Sequence, residues 1–341
     1  MNYPFKSYAD ALAPKPRIGY IVDGIIPAKS MTIWYGYPGS LKSMVVLDLA
    51  MAVAMGKPFL PSTPRQTPIL SGRTTQQRPV VWLDVDTGEY LLEQRLVAVG
   101  SVYGAAIDTP FYYMSYPTVR GASSKSMAAL TMFLENALSM AGMSSPLIVS
   151  DTLLRMAQVR DENSSEMDTV MYNLRKMNED LDATMVLVSH ANKMNHSGRA
   201  GNALRGHSSI EGGVDSVFRV KREDNSDIIE IENEKARQKP VETFSARFTY
   251  TSDPVNDELL SFRFYHVETQ TPANKAQSRR EELIDKIYDY LATNGITNYS
   301  TLFSAIKGKR VYFEDALNEA IKNGTVKETK GFKNAREFFV Q

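Results

Sequence analysis

The chain has 341 residues, 43% hydrophobic and 23% charged, and its formal net charge is zero because Lys+Arg and Asp+Glu both number 39. This is a globular composition, long enough for one core of ordinary size and a small appendage, with no apolar run of the roughly 18 residues a membrane span needs. There is no cysteine, which excludes disulfides and Cys-based zinc sites. The opening MNYPFKSYAD lacks a signal-peptide core, so a cytoplasmic protein without a membrane partner is expected, and the balanced charge leaves any nucleic-acid contact to a local patch.

Residues 1–28 are proline-punctuated and aperiodic and read as an N-terminal arm. SMTIWYG is then a β-rich run, and KSMVVLDLAMAVAMG has helical spacing closed by Gly56. After a Pro/Thr/Ser/Gln-rich excursion, VVWLDVD, FYYMSY, PLIVSD and TMVLVSH alternate with helical stretches at 87–100, 124–142 and 164–181. Such alternation predicts a mostly parallel sheet with helices on both faces. From about 214 the strands follow one another without helices, which predicts an antiparallel extension at one edge of this α/β core, residues 29–268. TQTPANKAQS, 269–278, has the composition of a linker. Three short helices and a hairpin around a Lys-Gly tip then outline a winged helix over 279–341.

In YGYPGSLKSM, residues 35–44, Gly36 and the pair Lys42-Ser43 keep the register of the phosphate loop G-x-x-x-x-G-K-[ST], with Pro38, Gly39 and Ser40 between them. The glycine expected before the lysine is Leu41, tolerable there if φ stays negative. In such a loop backbone N–H groups and a helix N-terminus face the phosphates, Lys42 reaches them, and Ser43 ligates Mg2+. A strand before and a helix after supply the context the motif requires.

PLIVSD delivers Asp151 to a strand end, where a carboxylate holds a metal through water, although any strand can end in aspartate. VVWLDVD places Asp84 and Asp86 at another strand end with Glu89 a turn later. Asp86 is assigned to orient the attacking water with Glu89 in reserve, against the alternative that both cap the next helix. VLVSH ends in His190, a sensor of the γ-phosphate or a structural histidine. The following glycine- and Asn-rich loop carries Lys193, Arg199 and Arg205, either a solvated turn or a DNA-contacting element.

In this order the segments resemble the RecA superfamily, and more closely the hexameric helicase-like ATPases of plasmid and phage replication, the RepA type. YIVDGIIPAKSMTIWYGYPGSLKS, VVWLDVDTGE, PLIVSDTLLRM, MVLVSHANK and ALRGHSSIEGGVDSVFRVKR carry the resemblance over residues 18–240. It implies ATP and Mg2+ as cofactors, Lys42 and Ser43 on the nucleotide, Asp151 on the metal, DNA as partner, and a ring, hexameric by that resemblance alone. Where the superfamily usually has glutamate this chain has Asp86, one methylene shorter. NEKARQKP is similar to a Lys-x-Arg element that reaches a neighbouring subunit's nucleotide, which implies a trans role for Lys235 and Arg237, against two solvated cations beside a turn.

The winged helix has no counterpart in that core. Its basic residues Lys307, Lys309, Arg310, Lys327, Lys330 and Lys333 favour DNA, with Lys309, Arg310 and Lys330 foremost, while Glu314, Asp315 and Glu319 weaken that case. The expectation is a ring-forming replicative DNA helicase of a mobile element. Its rivals are an ATP-switched DNA-binding regulator or loader, and a recombinase-like filament.

Overall fold

The structure is a computed structural model and describes residues 6–14, 19–62, 72–159, 165–191, 208–223, 226–269, 272–306, 309–331 and 336–340. The chain divides into two compact units, Met1–Glu268 and Thr269–Gln341. In the first, the elements in chain order are α1 (Tyr8–Leu12), β1 (Tyr20–Val22), β2 (Ile26–Pro27), β3 (Met31–Gly36), α2 (Lys42–Met55), β4 (Val80–Asp84), α3 (Glu89–Tyr103) and β5 (Phe111–Ser115). They continue with α4 (Ser124–Met140), β6 (Leu147–Asp151), α5 (Leu153–Ala157), α6 (Ser165–Asp180), β7 (Thr184–His190) and α7 (Ser208–Gly213). Four strands close the unit: β8 (Ser216–Arg222), β9 (Ile228–Ala236), β10 (Phe244–Ser252) and β11 (Leu259–Val267).

One nine-stranded sheet runs β11-β10-β9-β8-β3-β7-β6-β4-β5. The six strands from β8 to β5 are parallel, and β9, β10 and β11 add antiparallel pairings, so this is an α/β fold on a large, mostly parallel sheet. The continuous apolar runs follow from this burial: β3, β4 and β6 are buried at every residue, as strands covered on both faces must be. Alternate residues of β3 feed two cores. Trp34 packs with α2, α3 and the β1–β2 pair on one face, and Ile33 and Tyr35 pack with α4, α6 and α7 on the other.

The expectation of an antiparallel extension holds, with one difference. Residues 216–222, expected in the antiparallel extension, lie inside the sheet, parallel to β3 and flanked by β9. The edges are β11 and β5. Within the stretch expected to be an arm, Ile21, Val22, Ile25 and Ile26 are buried in the first core.

The second unit contains α8 (Pro272–Asn294), β12 (Thr297–Asn298), α9 (Tyr299–Ile306), α10 (Arg310–Lys322), β13 (Lys327–Lys330) and β14 (Arg336–Phe339). Its three strands form an antiparallel sheet in the order β12-β14-β13, over a core of its own built on Ile287, Leu291, Leu302, Phe313, Leu317 and Phe338. Helix α8 begins inside the stretch read from composition as a linker.

Candidate active site

β3 ends at Gly36 and the chain turns through Tyr37–Ser40, where the Ser40 N–H donates to Tyr37 O at 3.1 Å. A Cβ on Gly36 would collide with Val220 O and meet Ser40 Oγ at 2.7 Å, so only glycine fits. Gly39 takes φ +81°. Leu41 takes φ +63° and ψ +18°, so the negative φ expected there is corrected: the backbone is left-handed, the geometry a glycine would adopt freely. For a residue with a Cβ this costs roughly 1–2 kcal/mol. Packing of the partly buried Leu41 side chain against the core around α2 offsets part of it.

The N-terminus of α2 is open. The first N–H groups of a helix have no partner within it, no side chain caps this end, and no acid lies in its first turn. Lys42 stands there at 5% exposure, with no hydrogen bond or ion pair among the described residues. Burial lowers its pKa, and the charges of Asp151 and Asp86 oppose that. A buried, unpaired ammonium beside unpaired N–H groups is a site arranged for an anion.

The carboxylates come to the same edge because four parallel strands end there. Gly36 pairs in register with His190, and Asp84 with Asp151. Ser43 Oγ donates to Asp151 Oδ1 at 3.2 Å. Asp151 is buried, and desolvation, with smaller help from Asp84 and Asp86, pushes its pKa up to about 6 against the Ser43 bond and Lys42. Asp84 accepts N–H bonds from Thr87 (3.1 Å) and Gly88 (2.7 Å) and so holds the turn, while its charge and that of Asp86 both act on Asp151. Asp86 stands between Arg155 Nε at 3.3 Å and His190 Nε2 at 3.4 Å. Glu89 is exposed as the first residue of α3.

Three cations at this edge escaped the sequence reading. Arg155 pairs with Asp86, as above, and Arg222 Nη1 donates to Gly39 O at 3.1 Å. Arg95 lies on the core-facing stripe of α3 with Leu92 and Val99; burial lowers its pKa while Asp151 and Asp84 oppose the shift. A cation at a core position of a helix is the signal that could have found it.

Lys235 and Arg237 are elsewhere. They follow the antiparallel β9 down to the start of β8, where Ser216 pairs with Ala236, and so lie at the opposite edge of the sheet. β3 alone spans roughly 16 Å between the edges at about 3.3 Å per residue. Both contact α7: Lys235 Nζ donates to Glu211 O and, at 3.1 Å, to Val214 O, and Arg237 Nη2 donates to Gly212 O at 2.7 Å.

Lys193, Arg199 and Arg205 lie outside the described residues, as do Lys307 and Lys333. In the second unit Lys309 and Lys330 are exposed, while Arg310 Nε donates to Glu314 Oε1 at 2.8 Å. The exposed residues of α10 are Arg310, Val311, Tyr312, Asp315, Asn318 and Lys322, mixed rather than basic.

A family described as "AAA domain" matches residues 2–196, more than half of the sequence. The chain belongs to the AAA domain family. No curated protein matches it. Among solved structures it is similar to one described as a DnaB-like replicative helicase and its interactions with primase, with TM-score 0.52 and 14% identity, covering 75% of this chain and 66% of that one. The likeness is one of fold, and the chain spans just under two thirds of that helicase chain's length.

Proposed function

We propose that the protein is an ATP-dependent DNA motor of the replicative helicase type, acting as a hexameric ring in replication of a plasmid, phage or other mobile element. The observation that carries this is the convergence of Gly36, Asp86, Asp151 and His190 from four neighbouring strand ends on an open helix N-terminus. The residues fit Mg-ATP: Gly36 leaves no room for a Cβ, Lys42 lacks a partner among the described residues, and Ser43 and Asp151 form a hydroxyl–carboxylate pair.

In this assignment Gly36, Pro38, Gly39, Ser40 and Leu41 shape the loop around the phosphates, and Lys42 holds their terminal charge. Ser43 and Asp151 would hold Mg2+, which when bound neutralises charge on the phosphates. Asp86 orients water toward the γ-phosphorus and accepts its proton, and His190, in contact with Asp86, registers loss of the phosphate. Glu89, exposed and a turn away, stays in reserve. Arg237 and Lys235 cannot reach their own chain's nucleotide across the sheet, which favours action on the neighbour's. DNA is assigned to Lys193, Arg199 and Arg205 in the ring and, in a C-terminal winged helix, to Lys309, Arg310 and Lys330. The helix–strand–helix–helix–hairpin order of the second unit supports that fold.

ATPase turnover with and without single-stranded DNA, and strand displacement on a forked substrate, test this; stimulation and ATP-dependent displacement are expected. A second possibility, an ATP-switched regulator or loader, is favoured by Asp86, which is short and held between Arg155 and His190. It predicts nucleotide-dependent assembly with neither stimulation nor displacement.

A further inference from the structure

The edge opposite the loop is organised around Asp215, between α7 and β8. Its carboxylate serves three separate segments. Oδ2 accepts from the Met31 N–H at the start of β3 at 2.8 Å and from Arg175 Nη1 of α6 at 3.0 Å, and Oδ1 accepts from Arg237 Nη1 at 3.2 Å. The backbone repeats the link: Asp215 N–H donates to Met31 O, and Arg237 N–H donates to Asp215 O, both at 2.8 Å.

The second prong of each arginine goes to the end of α7, Arg175 Nη2 to Gly213 O at 2.9 Å and Arg237 Nη2 to Gly212 O at 2.7 Å. These carbonyls are the ones a helix C-terminus leaves unpaired. Helix α7 is itself seated tightly, since a Cβ on Gly213 would stand 2.8 Å from Met171 Cε of α6.

Burial grades across this cluster. The Asp215 side chain is 19% exposed and Arg175 26%, but Arg237 is 52% exposed. Arg237 borders an open cleft of about 570 Å³ lined also by Asp168, Tyr172 and Ser209. A guanidinium has five N–H donors in a rigid fork; Asp215 and Gly212 engage one donor on each terminal nitrogen and fix the direction of the fork, and the remaining donors stay available.

We propose that Asp215 is the positioning residue for Arg237, setting the stance in which its guanidinium meets the phosphates bound by a neighbouring copy. This rests on the trans role of Arg237 proposed above. Its chemistry is that of a doubly held arginine: freeing one prong lets the charge swing, and a misplacement of about 1 Å costs on the order of 100-fold in rate.

The test uses full-length protein and steady-state ATP turnover. Asp215→Asn should lower kcat about 10- to 100-fold with KM for ATP within about twofold, and Arg237→Ala should lower kcat by at least that much. The double variant should be no worse than Arg237→Ala alone. Mixing the slowed Asp215→Asn with the inactive Lys42→Ala should raise turnover above the sum of the two measured separately, because the second copy supplies a correctly held Arg237 to the first copy's intact loop. A merely misfolded Asp215→Asn would not be rescued. Unchanged kcat, a raised KM as the sole effect, additive loss in the double variant, or absence of rescue overturns the positioning role. If Asp215→Asn does not fold, Arg237→Lys, which keeps the charge but cannot be gripped at two nitrogens, should lose as much as Arg237→Ala, and full turnover overturns the proposal. Should Arg237→Ala itself turn over normally, or not be rescued by Lys42→Ala, the trans reading fails first and the positioning role falls with it.

Discussion

The two edges of the parallel sheet are built on opposite principles. At the edge where β3, β4, β6 and β7 end, polar groups are left open: α2 has no side-chain cap and Lys42 no partner among the described residues, and Leu41 is in a left-handed conformation. At the other edge nearly every polar group is tied, with Asp215 holding three donors and α7's carbonyls each met by a cation. Unpaired polar groups in a buried place are costly unless a ligand completes them. The contrast supports the proposal that the first edge binds a ligand and the second is a scaffold that aims side chains outward.

The sharpest way to break this contrast is Lys42→Ala. If Lys42 waits for phosphate, turnover should fall by about 100- to 1,000-fold, with the melting temperature held or raised because a buried unpaired charge is gone. A turnover assay beside a thermal melt decides; a variant that loses stability and keeps turnover would mean that Lys42 is structural. Next in size is Gly36→Ala. The added methyl meets Val220 O and Ser40 Oγ, and overpacking of this kind destabilises by about 1–3 kcal/mol. Denaturant unfolding should show that loss together with weakened nucleotide binding.

A smaller effect sharpens the picture along α2 itself. Asp48 is fully buried near Arg263, the Tyr103 hydroxyl and the Phe264 N–H, with neither oxygen closing a good hydrogen bond, and desolvation pushes its pKa up to about 7 against those three. The folded state therefore keeps a proton that the unfolded chain releases near its ordinary value of 3.8. This contribution to stability is complete below that value and is lost as pH rises through about 7. Asp48→Asn cannot titrate, so the variant should lose less stability than the parent between pH 5 and pH 8, a difference on the order of 1–3 kcal/mol in denaturant melts. Identical slopes would show that Asp48 does not titrate there.

The smallest expected effect is Leu41→Gly. Relief of left-handed strain is opposed by lost packing and by a more flexible unfolded chain. Stability should stay within about 1 kcal/mol and nucleotide affinity within about threefold; a large gain in turnover would show that Leu41 limits hydrolysis.

Much of the first edge was legible in the sequence because each of its parts is local. A strand, a glycine turn and a helix sit in one string, and Asp151 and His190 each end an apolar run, so the α/β alternation alone sends them to one side. Local patterns did not give the φ of Leu41, because the glycine rule states a preference while the packing of Leu41 pays for the exception. Nor did they give Arg155, Arg222 and Arg95, whose partners are tens of residues away in sequence. The second edge was the least legible: Asp215 ties together residues 31, 175 and 237, a relation set only by sheet order and register. In the second unit the succession of elements was visible, but the pairing of Arg310 with Glu314 was not, and that pairing neutralises a cation assigned to DNA.

The most direct test of the central claim is calorimetric titration of Mg-ATP into the full-length protein and into Lys42→Ala. One nucleotide per chain should bind the parent, with binding lost or weakened at least about 100-fold in the variant while its melt shows it folded. Equal binding by both proteins, or none by either, would contradict the assignment of the open edge as a nucleotide site.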